Sequence, residues 1–202
     1  MTHPVGLSSK FLTSASSLAE CPQDSMPEVA FIGRSNSGKS SCLNRISGSK
    51  SLARVSKTPG RTQLINFFNT SLNGRLVDLP GYGYARVSKQ KQAEWGHTVD
   101  QYLQERTNLV GLVLIIDSRH DPQPLDQEML TWCRSQHIPL LVLLNKVDKA
   151  TQRERTLCLR AVQELLADYK QANVIMFSAK SGKGSSAVLQ QIHAWFGSAA
   201  SQ

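Results

Sequence analysis

The stretch Glu28-Val29-Ala30-Phe31-Ile32-Gly33-Arg34-Ser35-Asn36-Ser37-Gly38-Lys39-Ser40 runs from an apolar strand through a glycine-bounded turn into a helix. Residues 29–32 are apolar, Gly33 ends the run, and four residues separate it from Gly38-Lys39-Ser40, after which Cys42, Leu43 and Ile46 recur at helical spacing. That is Walker A spacing in strand–loop–helix context. Phosphate must be held by closely approaching backbone N–H groups, so glycine is needed where a side chain would block the approach or where φ must be positive. Lys39 brings a charge to the β/γ-phosphates, Ser40 a hydroxyl for Mg²⁺, and the helix start its positive dipole end. A Gly/Ser-rich turn that merely fits the pattern is the alternative.

Outward from this loop, strand and helix signals alternate, as in an α/β sheet with helices on both faces. Residues 64–72 and 75–79 read as strands around the hairpin signal Asn73-Gly74. Further strands are expected at 110–117, 138–144 and 174–177, with helices at about 38–47, 89–105, 125–135, 151–170 and 185–196. The expected sheet has six mostly parallel strands, one of them antiparallel. Residues 1–27, rich in Ser and holding Pro4, Pro22 and Pro27, read as a loosely ordered lead-in with one short element near 10–14, residues 28–197 as the nucleotide-binding domain and 198–202 as a tail.

Two more strand ends carry chemistry. Asp78-Leu79-Pro80-Gly81 has the Asp-x-x-Gly pattern, in which the carboxylate reaches Mg²⁺ through water and Gly81 offers its N–H to a γ-phosphate. Asn145-Lys146-Val147-Asp148 follows the 138–144 strand. A carboxylate at Asp148 can accept both N1–H and the exocyclic amine of guanine, a donor pair that adenine lacks. The Lys146 stem can cover a face of the base, and Asn145 can tie this loop to the phosphate loop. Asp148 as a cap of the following helix is the competing reading. Ser178-Ala179-Lys180 can present a backbone N–H to guanine O6.

The chain of 202 residues carries a formal net charge of +8, and the surplus is local. Between 34 and 93, eleven Lys and Arg face Asp78 alone, whereas from 94 onward acids and bases balance. This exceeds what a magnesium triphosphate requires and points to an anionic macromolecule, nucleic acid before membrane. The longest apolar runs, 110–116 and 138–144, are too short to span a bilayer, and no secretory pattern opens the chain, so the expectation is a cytoplasmic protein. Cys21, Cys42, Cys133 and Cys158 lack metal or disulfide spacing and read as buried free thiols.

With these segments in this order, the chain resembles the TrmE/Era-like P-loop GTPases and, within them, the bacterial EngB-type GTPases. The specific parts are Gly33 to Ser41, Lys57-Thr58-Pro59-Gly60-Arg61-Thr62-Gln63, Asp78-Leu79-Pro80-Gly81-Tyr82-Gly83-Tyr84-Ala85 and Asp117-Ser118-Arg119-His120-Asp121-Pro122. Asn145, where the family usually has Thr, and Ser37, where it usually has an apolar residue, depart from that pattern.

The resemblance implies a P-loop GTPase fold and a GTP/GDP switch that acts late in assembly of the large ribosomal subunit and is needed for normal cell division and septation, and the basic surplus makes rRNA the expected contact. It implies a nucleotide-contacting set of Gly33, Arg34, Ser35, Asn36, Ser37, Gly38, Lys39, Ser40 and Ser41; Gly60, Arg61, Thr62, Gln63 and Leu64; Asp78, Leu79, Pro80 and Gly81; Asn145, Lys146, Val147 and Asp148; and Phe177, Ser178, Ala179 and Lys180. Thr62 would join Ser40 on Mg²⁺, with Asp78 acting through water, and Lys39, Thr62, Gly81 and Asn36 would serve hydrolysis. Many GTPases orient water with a Gln after Asp-x-x-Gly. Tyr82 holds that place, so slow intrinsic hydrolysis is expected, and Asn36 could seat a K⁺ ion or simply brace the loop. A switch acting directly on the division machinery without rRNA, and a P-loop small-molecule kinase, are the competing functions. A monomer is expected.

Overall fold

The computed structural model describes residues 6–49, 51–53, 64–82 and 98–199. Gly60, Arg61, Thr62 and Gln63 of the expected site lie outside the described residues, as do seven of the eleven Lys and Arg between 34 and 93.

In chain order come β1 (Ser9–Ala15), β2 (Glu28–Gly33), α1 (Lys39–Ser47), β3 (Ile65–Thr70), β4 (Arg75–Asp78), α2 (described over 98–105), β5 (Leu109–Asp117), α3 (Pro124–Ser135), β6 (Leu140–Asn145), α4 (Gln152–Leu165), β7 (Ala172–Met176) and α5 (Ser185–Ala199). They form one sheet in the order β1-β3-β4-β2-β5-β6-β7. β3 alone runs against the others, pairing antiparallel with both β1 and β4. The α/β class and single reversed strand are as expected, but the sheet has seven strands where six were expected. The added strand, β1, lies in the segment read as lead-in. Its pairing with β3 is broken in register between Phe11 and Thr13, and Phe11 is 60% exposed with its ring edge-on to Phe68. An edge strand with so little burial leaves no apolar alternation to recognise.

Period-two alternation divides the core. Leu112, Leu114 and Ile116 of β5, with Leu140, Val142 and Leu144 of β6, face Tyr102, Leu103, Leu130, Cys133, Cys158 and Val162 from α2, α3 and α4. Val113, Ile115, Leu141 and Leu143 face Cys42, Leu43, Ile46, Val188, Ile192 and Phe196 from α1 and α5. Central parallel strands buried on both faces must be apolar throughout, which explains the unbroken run in β5. Helix α5 presses closely on the sheet. A Cβ on Gly111 would come within 2.4 Å of Trp195, and one on Gly74 within 2.6 Å of Phe196. The hairpin therefore forms where Asn73-Gly74 places it, with Asn73 at φ 51° and Gly74 making room for a ring. All four cysteines are buried free thiols, and burial pushes Cys21 up to about 11 and Cys133 and Cys158 to about 12.

At the amino ends of the strands a buried ion cluster locks several elements together. The fully buried Glu28 carboxylate accepts from Tyr102 Oη at 2.9 Å and from Arg106 at 2.6 and 2.9 Å, and lies 3.6 Å from Arg75. Arg75 also donates to Asp24 at 2.7 Å, and Arg106 to the Pro22 carbonyl at 2.6 Å. The lead-in, β2, β4 and the end of α2 thus share one set of charges. Removing the Glu28 charge leaves the buried Arg75 and Arg106 guanidinium groups without that carboxylate in a dry site. Glu28→Gln should lower unfolding free energy by about 3 kcal/mol, read as an earlier urea midpoint at an unchanged slope.

Candidate nucleotide site at the strand ends

At the carboxyl end of β2 the chain turns over the start of α1. Asn36 and Gly38 take left-handed φ values of 67° and 97°, and Gly38 caps the helix. Curled backbone above a helix N-terminus leaves N–H groups without helical partners, which is how an oxyanion is received. The Lys39 ammonium reaches across to the Asp78 carboxylate at the end of β4. Asp78 is 4% exposed, so its charge is met by an adjacent cation in a nearly dry position. Leu79 N–H donates to the Phe31 carbonyl at 3.0 Å and Ser35 N–H to the Tyr82 carbonyl at 2.9 Å, holding the Asp-x-x-Gly segment beside the phosphate loop. The Ser37 hydroxyl, 4% exposed, has no hydrogen-bond partner among the described residues.

The second side of the site grows from β6 and β7. Asn145 Nδ2 donates to the Ser37 carbonyl at 2.9 Å, while its Oδ1 accepts from Ala179 N–H at 3.3 Å. The tie to the phosphate loop was expected from the sequence, and the same carboxamide also reaches the loop after β7. Gly38 is needed here twice over: its φ is positive, and a Cβ would sit 2.4 Å from Asn145 Nδ2. Lys146, at φ 66°, extends its ammonium to the Asn36 carbonyl at 2.6 Å and to Asp117 Oδ2 at 2.7 Å.

Asp148 is exposed and accepts from the Ser178 hydroxyl at 2.6 Å, which holds its carboxyl below the usual carboxylate range against a small opposing effect of burial. Ser178 Oγ in turn accepts from Ser181 N–H at 3.1 Å. The capping role is not Asp148's. Thr151 caps α4, accepting from Glu154 N–H at 3.2 Å, with Glu154 returning the bond at 2.6 Å. The Asp148 carboxylate is left facing solvent.

Other residues of the expected set are placed differently. Leu79, Val147 and Phe177 are buried, and their N–H groups are already bonded to the Phe31, Phe177 and Leu144 carbonyls, so they frame the loops from inside. Leu64, before β3, and Ser41, on α1, are exposed. Tyr82 donates from Oη to Asp126 Oδ1 at 2.7 Å, at the start of α3, and packs against the core there. Burial, reinforced by Asp126, pushes that phenol far above its usual value, so it stays neutral and fixed.

Asp117 was not anticipated as a site residue. It ends β5 directly beside Asn145 in the parallel register and is gripped by Arg119 at 2.7 and 2.9 Å as well as by Lys146. Burial acts to raise its carboxyl, but these donors outweigh it and hold the group well below the usual range. The signal available in sequence was its position: an acid closing an otherwise apolar strand one strand over from Asn145.

Sheet order, the glycine cradle and the loops after β6 and β7 together define a P-loop GTPase fold. A family model described as "50S ribosome-binding GTPase" matches residues 28–146. "Probable GTP-binding protein EngB" of Pelotomaculum thermopropionicum is 47% identical over 188 residues, covering 93% of this chain and 95% of its own. The protein of the same name from Haemophilus influenzae strain 86-028NP is 45% identical, covering 92% and 91%. A crystal structure of an EngB protein superposes with a TM-score of 0.67 at 25% identity, covering 84% of this chain and 98% of that one. The chain belongs to the EngB family of GTP-binding proteins, and it is a GTPase. The kinase reading is thereby set aside.

Since Lys146 is held by two acceptors, removing one should loosen it. Asp117→Ala should weaken GDP binding about tenfold, measured by titration calorimetry, with the melting temperature reporting whether the fold is intact.

Proposed function

We propose that this GTPase is a slow guanine-nucleotide switch that acts on the large ribosomal subunit late in its assembly, in the cytoplasm and as a monomer, and through that role is needed for normal division and septation. The observation that supports the nucleotide part is the Asn145 bridge between Ser37 and Ala179, which ties the glycine-bounded turn to the loop after β7. In this reading Asp148 accepts the two guanine donors, the Lys146 stem lies along the base, and a backbone N–H of the Ser178-Ala179-Lys180 turn meets O6. Lys39 leaves Asp78 for the β/γ-phosphates, and Gly81 offers its N–H to the γ-phosphate.

The residues present suit Mg²⁺. Asp78 is buried and already in contact with a cation, and the Ser40 hydroxyl with the Asp78 carboxylate is a hard-oxygen donor set that leaves other positions to water and phosphate. Ser40 and Thr62 would hold the ion directly and Asp78 through water. When bound, the ion supplies charge compensation on the transferring phosphoryl group.

Hydrolysis should be slow because the side chain following Gly81 is committed elsewhere: the Tyr82 phenol is bonded to Asp126 and cannot orient water. The expected single-chain rate is on the order of 10⁻⁴ per second. Asn36 is proposed to seat K⁺ and to restore part of the missing charge once the ribosomal partner is bound. Phosphate release measured with large subunits present should be faster in K⁺ than in Na⁺; equal rates would remove the ion from the mechanism.

Two things support the ribosomal part: the description of the matching family, and the concentration of eleven Lys and Arg between 34 and 93. GTP would order the segments around Thr62 and after Gly81, and so govern how these cations are presented to rRNA. The competing reading, direct action on the division machinery, requires no affinity for ribosomal particles. Pelleting with purified large subunits should retain more protein with a GTP analogue than with GDP. The retained fraction should fall steeply with salt, as phosphate contacts dictate. No retention in either nucleotide state would favour the division machinery.

A further inference from the structure

Arg45 sits in the last turn of α1, the helix whose first turn carries Lys39 and Ser40. Its exposed side chain crosses to the loop after β7, where Nε donates to the Ala179 carbonyl at 2.8 Å and an Nη donates to the Lys180 carbonyl at 2.6 Å. Two consecutive carbonyls are thus held in one planar fork, a geometry that lysine's point charge does not supply. A solvated helix face would be the ordinary fate of such an arginine, yet here 134 residues of chain separate donor from acceptor.

Peptide planarity turns this contact into a direction. In a trans peptide the C=O of Ala179 and the N–H of Lys180 belong to one rigid plane and point opposite ways. With the carbonyl drawn toward α1, the Lys180 N–H is aimed away from it. The neighbouring donors are committed: Ala179 N–H goes to Asn145 Oδ1 and Ser181 N–H to Ser178 Oγ. Gly182 N–H closes the turn on the Ser178 carbonyl at 2.8 Å. Among the described residues the Lys180 N–H is the donor this turn keeps for something outside it.

We infer that Arg45 is a positioning residue for base recognition, fixing the 179–180 peptide so that the Lys180 N–H meets guanine O6. The inference rests on the base-side reading given above and deepens it. It also ties the two ends of the nucleotide mechanically, because α1 anchors the phosphate cradle at one end and the O6 donor at the other.

The test compares equilibrium binding of GDP, 6-thio-GDP and IDP to the wild type, Arg45→Ala and Arg45→Lys, with thermal melting to confirm folding. 6-Thio-GDP replaces O6 with a poor acceptor and keeps the other ring donors, whereas IDP keeps O6 and lacks the 2-amino group. The wild type should prefer GDP to 6-thio-GDP by about tenfold. In Arg45→Ala that preference should shrink to about twofold or less while the preference over IDP, read by Asp148, is unchanged. Arg45→Lys, which can reach one carbonyl but not fork both, should fall between. An Arg45→Ala protein that keeps the full O6 preference, or loses both preferences alike, overturns the positioning role. A wild type that distinguishes neither analogue from GDP overturns the base-side reading itself, and the role of Arg45 with it.

Discussion

The Asn145 carboxamide is the constraint on which the site depends. Its amino group donates to one wall and its oxygen accepts from the other: the Ser37 carbonyl and the Ala179 N–H. The amide is buried, so leaving either bond unmade would carry a desolvation cost of about 1–3 kcal/mol. The spacing of the two walls is therefore set by the size of one side chain. The same close approach dictates a residue without Cβ at 38, which the backbone conformation there demands independently. Lys146, Asp117 and Arg45 add further ties between the same loops, each made by a charged group at the end of a strand or helix.

The sheet carries this arrangement by dividing its labour along the strand direction. Apolar side chains fill both faces, the strands' carboxyl ends hold the loops, and the amino ends are closed by the Glu28 cluster. Anchoring α2 through Tyr102 and Arg106 fixes the far end of the helix that follows the Asp-x-x-Gly segment. Tyr82 pins the near side, its carbonyl to Ser35 and its phenol to Asp126. Chemistry and stability thus draw on different residues of the same strands.

How far the sequence could be read follows from what each signal depends on. The phosphate loop, the buried parallel strands and the Asn145 tie were legible because they rest on local spacing and on apolar runs that few other structures would require. β1 was legible only as a short element near 10–14 and not as a strand of the sheet, since an edge strand with only Ala15 buried shows no alternation. Glu28 looks like a polar residue ahead of a strand; only the fold brings Tyr102 and two arginines around it. Asp117 and Arg45 were missed for the same reason. Lys146 lies 29 residues from Asp117 and Ala179 lies 134 from Arg45, and a lone acid at a strand end or a lone base on a helix has no periodicity to betray it. Tyr82 was legible as a missing glutamine, but its bond to Asp126 was not.

The burial of all four thiols has a practical side. Cys21, Cys42, Cys133 and Cys158 are enclosed and keep their protons at neutral pH, so none competes for an alkylating reagent while the chain stays folded. A cysteine introduced on the surface becomes the reactive one, and a single fluorophore can be attached beside the groove in an otherwise unaltered chain.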